Sequence, residues 1–260
     1  LESNKISKKQ PLAASLGIIG HGRFGKLLAN TFTKHSDAEV KIFARNEEVG
    51  GEKFLSLEEV AKQDIVVPCV PISRIRELFE QIKPMLSAES TVLDIASVKV
   101  YPAKWASEVL GDQPYVSTHP LFGPDSTKNG QVFEGRNMMM HNVSASEDLY
   151  ESFKSFWQGL GVTVVEITPD EHDKMIAYTM NYNHLIGRIG ERVGIKPTPL
   201  DTPGFKAVYK AREHVVHDTP ELFADMQIYN PYAKEMRDKV KQAMLDIEKN
   251  LEEEVGKRKV

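Results

Sequence analysis

The chain holds a single cysteine, which rules out an internal disulfide, and nothing else points to an oxidising compartment. Cys69 lies in the apolar run "DIVVPCV", where a buried, inert thiol is expected rather than a nucleophile. No apolar run approaches the ~20 residues that a membrane-spanning helix needs, so no membrane partner is expected. An excess of positive charge is lacking too. Lys and Arg number 33 against 37 Asp and Glu, a net charge of −4, which argues against the concentrated positive face of a dedicated nucleic-acid binder, so no nucleic-acid partner is expected. The N-terminal "LESNKISKKQP" starts without methionine and lacks the apolar centre of a secretory signal. Residues 1–14 are expected to be a disordered or trimmed tail outside the fold, and the location cytoplasmic, or plastid if the source is a photosynthetic eukaryote. The remaining composition, 41% hydrophobic and 27% charged, is that of a soluble globular protein with one large or two modest domains.

From residue 15 short β-rich runs alternate with amphipathic helical patterns. "SLGIIG" (15–20), "EVKIFAR" (39–45), "DIVVPCV" (64–70), "TVLDIAS" (91–97) and "PYVSTHP" (114–120) read as strands. Near-continuous apolar strands separated by helices indicate a parallel sheet covered on both faces. "RNMMMHNV" (136–143) and "VTVVEIT" (162–168), with a helical stretch between them, are expected to extend it. The fold class is therefore α/β, a Rossmann-type doubly wound and mostly parallel sheet over 15–168. After Thr168 the pattern turns helical, opening on "TPDEHD", and the reading is an all-helical domain over 169–260. Near its end Met236, Val240, Met244, Ile247 and Leu251 form an apolar stripe, which suits a core face or a dimer interface.

"GIIGHGRFGKLLA" places Gly20, Gly22 and Gly25 between a strand and a helix. The first glycine permits a tight turn and the second lets backbone approach a pyrophosphate. The third allows close helix–strand packing, while the helix start offers unpaired N–H donors. At the end of the second strand an acid would hold the ribose 2′-hydroxyl of NAD. This chain has Arg45 and Asn46 there, which favours the 2′-phosphate of NADP over NAD, although Glu47 and Glu48 follow closely. The expected cofactor set is Gly20, Gly22, Arg23, Phe24, Gly25, Arg45, Asn46, Val70, Pro71 and Ser97. No metal is expected.

"DIASVK" ends the fourth strand and "STHPLFGP" the fifth, and ligands of open α/β sheets bind beyond the carboxyl ends of the strands. Ser97 and His119 are therefore expected beside the nicotinamide. Farther on, "EHDKMIAYTMNYNHLIGR" sets His184 and Arg188 four residues apart on one helix face.

Taken together, "HPLFGP" after a strand, preceded by "DIASVK" and followed by "EHD" and "NHLIGR", resembles the prephenate/arogenate dehydrogenase family of tyrosine biosynthesis. The likeness runs over almost the whole chain after residue 14. It is greatest in style to the plant-like arogenate dehydrogenases, including "ELFADMQIYNP". The resemblance implies a Rossmann domain with a helical dimerisation domain, hence a homodimer, and NAD or NADP as cofactor. It also implies oxidative decarboxylation of a cyclohexadienol, arogenate giving tyrosine or prephenate giving 4-hydroxyphenylpyruvate. In this light His119 takes the proton of the 4-hydroxyl, a task suited to an imidazole with a pKa of about 6.5. Ser97 hydrogen-bonds the same hydroxyl and helps orient His119. Substrate carboxylates fall to His184 and Arg188, with Lys210 and Arg212 behind them. Many bacterial members carry an arginine in the segment occupied here by "GFKAVYKAREH", and whether Lys210 or Arg212 serves is open. His172 of "EHD" is twelve residues before His184, about 120° around a 3.6-residue turn, so the two are not expected to share a contact.

Arogenate differs from prephenate by an ammonium where prephenate has a ketone. Asp218, in "HDTPEL", is a candidate reader of that ammonium; its plainer role is N-cap of a helix starting near Pro220. Competing readings are a β-hydroxyacid type of dehydrogenase and a non-catalytic NADP-binding sensor. The former would use a catalytic lysine in the helical domain, and the latter would not need Ser97, His119 and His184 together.

Overall fold

The computed structural model describes residues 12, 15–45, 53–216 and 218–258. Asn46 of the expected cofactor set and nearly all of the 1–14 tail lie outside the described residues. The chain divides into two compact units, Leu1–His172 and Asp173–Val260.

In the first unit each of the seven β-rich runs forms a strand: β1 (Ser15–Ile19), β2 (Glu39–Phe43), β3 (Ile65–Pro68), β4 (Thr91–Asp94), β5 (Tyr115–Pro120), β6 (Asn137–Asn142) and β7 (Thr163–Glu166). Their order is β2-β1-β3-β4-β5-β6-β7. All pairings are parallel except β5 with β6, which run antiparallel with His119 opposite Met139. The cause is the connection: residues 121–136 form turns rather than a crossover helix, so the chain returns alongside β5 in the opposite direction. Strands β3, β4 and β5 are buried along their whole length, as a sheet covered on both faces requires.

β4 ends three residues before the run "TVLDIAS" does, because a side chain captures the backbone there. Asp94 Oδ1 accepts the Ala96 N–H at 2.7 Å and turns the chain out of the sheet. The helices of this unit are α1 (Arg23–His35), α2 (Leu57–Ala61), α3 (Ile75–Ile82), α4 (Val100–Trp105) and α5 (Glu147–Gly159). Phe32 of α1 stacks on Phe156 of α5 at 4.9 Å, and Trp157 meets Phe32, Phe133 and Phe122 edge-on or tilted. Phe122 belongs to "HPLFGP". Its ring, 5.6 Å from Trp157, pins the segment that leaves His119 to the core.

The helices of the second half are α6 (Pro169–Ile176), which spans the division, α7 (Tyr182–Val193), α8 (Pro203–Val216), α9 (Pro220–Ile228) and α10 (Ala233–Arg258). Among its described residues the second unit has no strand. Thr168 and Glu171 close a reciprocal cap at the start of α6, each side chain bonding the other's backbone N–H. A wide π turn, Ala177–Asn181, joins α6 to α7 and breaks the 3.6-residue phase on which an angle between His172 and His184 depends. Amides fasten that turn to α9: Asn181 Nδ2 donates to the Met226 carbonyl and Gln227 Nε2 to the Asn181 carbonyl. Thr219, not Asp218, is the N-cap of α9, its hydroxyl accepting from Leu222 N–H with Pro220 at the first turn. On α10, Met236 is buried and Val240 partly so, but Met244, Ile247, Leu251 and also Val255 are exposed. Only the start of the stripe is a core face.

Candidate active site

The carboxyl ends of strands β1 to β5 build the site of the first unit. Beyond β1, Gly20 takes φ +112°, and a β carbon there would lie 2.3 Å from the Cys69 carbonyl oxygen at the end of β3. A β carbon on Gly25 would meet the Gly20 carbonyl at 2.1 Å, so helix α1 can approach the turn only through glycine. Gly22 is exposed and has nothing within 4 Å of where a side chain would go. It caps α1 without a side-chain hydrogen bond, and no acid stands in the first turn. The start of α1 thus offers N–H donors and the positive end of a dipole to an anion.

The other expected cofactor residues are distributed unevenly. Arg23 projects into solvent and pairs with Asp125 at 2.6 Å. Phe24 turns the other way, packing against the core, so its place in the motif is structural. Arg45 is exposed at the end of β2, Val70 is half-buried and Pro71 exposed at the end of β3. Burial raises the Cys69 thiol pKa, which suits an inert thiol.

Ser97 stands three residues beyond the end of β4, and His119 is the penultimate residue of the neighbouring strand β5. Ser97 Oγ is buried and has no hydrogen-bond partner in the protein. It makes no hydrogen bond to His119. The His119 ring meets His172 instead, whose Nε2 lies 2.8 Å from His119 Nδ1, with ring centroids 5.0 Å apart at 73°. His119 is 5% exposed, and its pKa is held well below the usual imidazole value, chiefly by burial, then by His172 and by the Lys99 ammonium.

Lys99 and Asp94 belong to the quoted "DIASVK", where no local pattern points to a role for them. In the structure both are fully buried, and Lys99 Nζ lies 2.7 and 2.6 Å from the two Asp94 carboxylate oxygens. Lys99 also donates to the Thr118 carbonyl, the residue before His119. Asp94 further accepts from Tyr115 Oη at 2.7 Å and Ser117 Oγ at 3.3 Å. Burial, followed by the Asp94 charge, raises the Tyr115 pKa, so the phenol stays a donor. This network fixes β4 to β5 directly behind the two strand ends. A "D…K" spaced five apart was the available signal; only the end of a strand between them makes the spacing reach.

The second unit gathers three of the expected substrate residues. His184 Nδ1 lies 3.6 Å from Asp218 Oδ2, and Arg188 Nη2 donates to the Asp218 carbonyl at 2.6 Å. Arg188 is also paired with Glu191 at 2.9 Å and lies over the Phe223 ring. Arg212 stacks on Tyr209 and donates to its hydroxyl, while its Nε is buried without a hydrogen-bond partner. Lys210 is exposed on α8.

These features are a glycine turn with open space beside Gly22, an orphaned serine hydroxyl and a buried histidine whose pKa is lowered. The residues present fit a dinucleotide. The sequence family described as prephenate dehydrogenase, nucleotide-binding domain, matches residues 31–166, just over half of the chain. The chain belongs to the prephenate dehydrogenase family. A second family, described as TYRAAT1-like, C-terminal domain, matches residues 189–259. Among curated relatives of this prephenate dehydrogenase family member, chloroplastic arogenate dehydrogenase 1 of Arabidopsis thaliana is 28% identical over 85% of the chain. The chain spans only 36% of that relative's length. Chloroplastic arogenate dehydrogenase 2 of the same plant is 25% identical, covering 95% of the chain and 72% of the relative. Among solved structures, prephenate dehydrogenase from A. aeolicus, crystallised with hydroxyphenyl propionate and NAD+, aligns with TM-score 0.71 and 17% identity. It covers 97% of this chain and 93% of that one, a likeness that speaks to the fold. No described helix is long and apolar enough to cross a membrane.

Proposed function

We propose that the protein oxidatively decarboxylates arogenate to tyrosine with NADP as hydride acceptor. The observation that carries this reading is the buried, neutral His119 at the end of β5, next to the strand whose end bears the unpartnered Ser97 hydroxyl. A nicotinamide dinucleotide, when bound, accepts the hydride from ring C4. His119 takes the 4-hydroxyl proton as that hydride departs. The C–CO2 bond then breaks, its electron pair aromatises the ring, and the phenolate oxygen recovers the proton from His119. Ser97 offers its free hydrogen-bonding capacity to the same hydroxyl. His184, Arg188 and Arg212 are assigned to substrate carboxylates, with Lys210 as the exposed alternative, and Arg45 to the 2′-phosphate.

Asp218 supports arogenate as the substrate, since a carboxylate suits an ammonium. Its approach to His184 at 3.6 Å supports the second reading, prephenate giving 4-hydroxyphenylpyruvate, because a carboxylate already matched to an imidazole is a weaker ammonium reader. A second copy of this chain is the proposed cover for Met244, Ile247, Leu251 and Val255 on α10, since an exposed stripe at helical spacing suits an isologous interface.

The test is nicotinamide reduction with arogenate and with prephenate, each against NADP and NAD. Arogenate with NADP is expected to be fastest. Faster turnover of prephenate would overturn the substrate assignment, faster reduction of NAD the cofactor assignment, and no reduction with any pair the dehydrogenase reading itself.

A further inference from the structure

His172 sits in the quoted "EHD", where the sequence left it without a task. It is buried in the first turn of α6, whose reciprocal cap, together with the bond from its own N–H to the Thr168 carbonyl, holds the backbone in place. We propose that His172 is the positioning residue for His119, fixing the tautomer that leaves Nε2 of His119 bare to receive a proton. The proposal rests on the reading of His119 as the group that takes the hydroxyl proton.

The 2.8 Å contact between His119 Nδ1 and His172 Nε2 holds one proton between two ring nitrogens, and it can be placed in two ways. If His119 Nδ1–H donates to His172, a neutral His119 has its lone pair on Nε2. If His172 Nε2–H donates instead, a neutral His119 carries its proton on Nε2 and has none of its lone pairs free for the substrate. Only the first arrangement gives a base. It also improves as the reaction proceeds, because the donor Nδ1–H becomes part of an imidazolium, and charged donors make the stronger hydrogen bonds.

The usual partner for such a histidine is a carboxylate, and one is nearby in Asp94. Both of its oxygens are taken, by Lys99, by the Ala96 N–H, by Tyr115 and by Ser117. The buried acid thus serves the lysine, and an imidazole is left to orient the base. An imidazole acceptor fixes the tautomer without adding a negative charge beside His119.

Nitrogen NMR of the full chain labelled with 15N-histidine reads the tautomer directly, with His119→Asn assigning the signals. In the wild-type protein His119 is expected to be protonated on Nδ1 and bare on Nε2. His172→Leu removes the acceptor, and His119 should revert to the Nε2–H form; kcat should fall about 10- to 100-fold with KM little changed, the usual weight of an outer partner that fixes a histidine. His172→Gln, whose amide oxygen replaces Nε2, should keep the Nδ1–H form and retain kcat within a few-fold. Finding the Nε2–H form in the wild type, or equal kcat losses in the Leu and Gln variants, overturns the proposal. Should the Leu variant fail to fold, the wild-type and Gln tautomers still decide it. Failure of the underlying reading shows separately, as full turnover in His119→Asn.

Discussion

His119 meets a second imidazole at 2.8 Å and feels the Lys99 ammonium, whereas His184 meets the carboxylate of Asp218 at 3.6 Å. The first is nearly sealed from water in a β-sheet unit; the second is partly open on a helix. Burial and like charge remove the proton from His119, which prepares it to accept one. A carboxylate neighbour and partial exposure give His184 the means to act as an ion-pairing group. The same side chain is therefore fitted to two different tasks by its surroundings, and the backbone of each unit sets those surroundings. The Lys99–Asp94 pair is fully buried, whereas the contacts around Asp218 are partly exposed.

The sharpest break of this contrast is His119→Asn. It should keep NADP binding, measured by direct titration, but lose roughly two to four decades of turnover, the weight of a general base. Near-normal turnover would remove His119 from the chemistry. The same variant sharpens the pH argument. A histidine whose folded pKa lies below its unfolded value of about 6.5 contributes stability that is complete above that value and is lost as pH falls through and below it. Denaturation of the wild type should show this acid-side loss, and His119→Asn should flatten it.

Next in size is the difference between the two charged centres. Lys99→Met strands Asp94 in the interior and should cost about 3–5 kcal/mol in denaturant unfolding. Asp218→Asn, cutting a partly exposed contact, should cost less than about 1 kcal/mol. Equal costs would mean that burial does not separate the two centres. The Asp218 variant should in addition lower turnover of arogenate while sparing prephenate. The smallest of the large effects is at the cofactor: Arg45→Ala should weaken NADP by about 10- to 150-fold, equivalent to about 1.5–3 kcal/mol, and leave NAD almost unchanged. Equal losses for both cofactors would make Arg45 structural.

The sheet, the glycine turn and the placing of His119 at the carboxyl end of a strand were legible because each is a local pattern. Apolar runs of strand length, glycines at fixed spacing and a histidine after a strand all lie within a few residues of one another. The π turn at Ala177–Asn181 was not legible, since amide bonds to α9, 45 residues or more along the chain, hold it open. Asp218 read as a helix cap, but Thr219 is one residue closer to the helix and its hydroxyl reaches Leu222 N–H. The stripe on α10 carried a periodicity common to a core face and an outer face, and only the fold shows it leaving the core after Val240.

By itself the sequence determined the order of elements, the nucleotide turn and the residues carried at the strand ends, because these follow from short-range sterics and the burial of apolar surface. Tertiary structure alone decided who partners whom. His172 comes to His119 from 53 residues away, and Lys99 is drawn to the Thr118 carbonyl from 19. Such pairings are set by the packing of elements distant along the chain, where a buried polar group must find a partner or be expelled, and no local pattern encodes which one it finds.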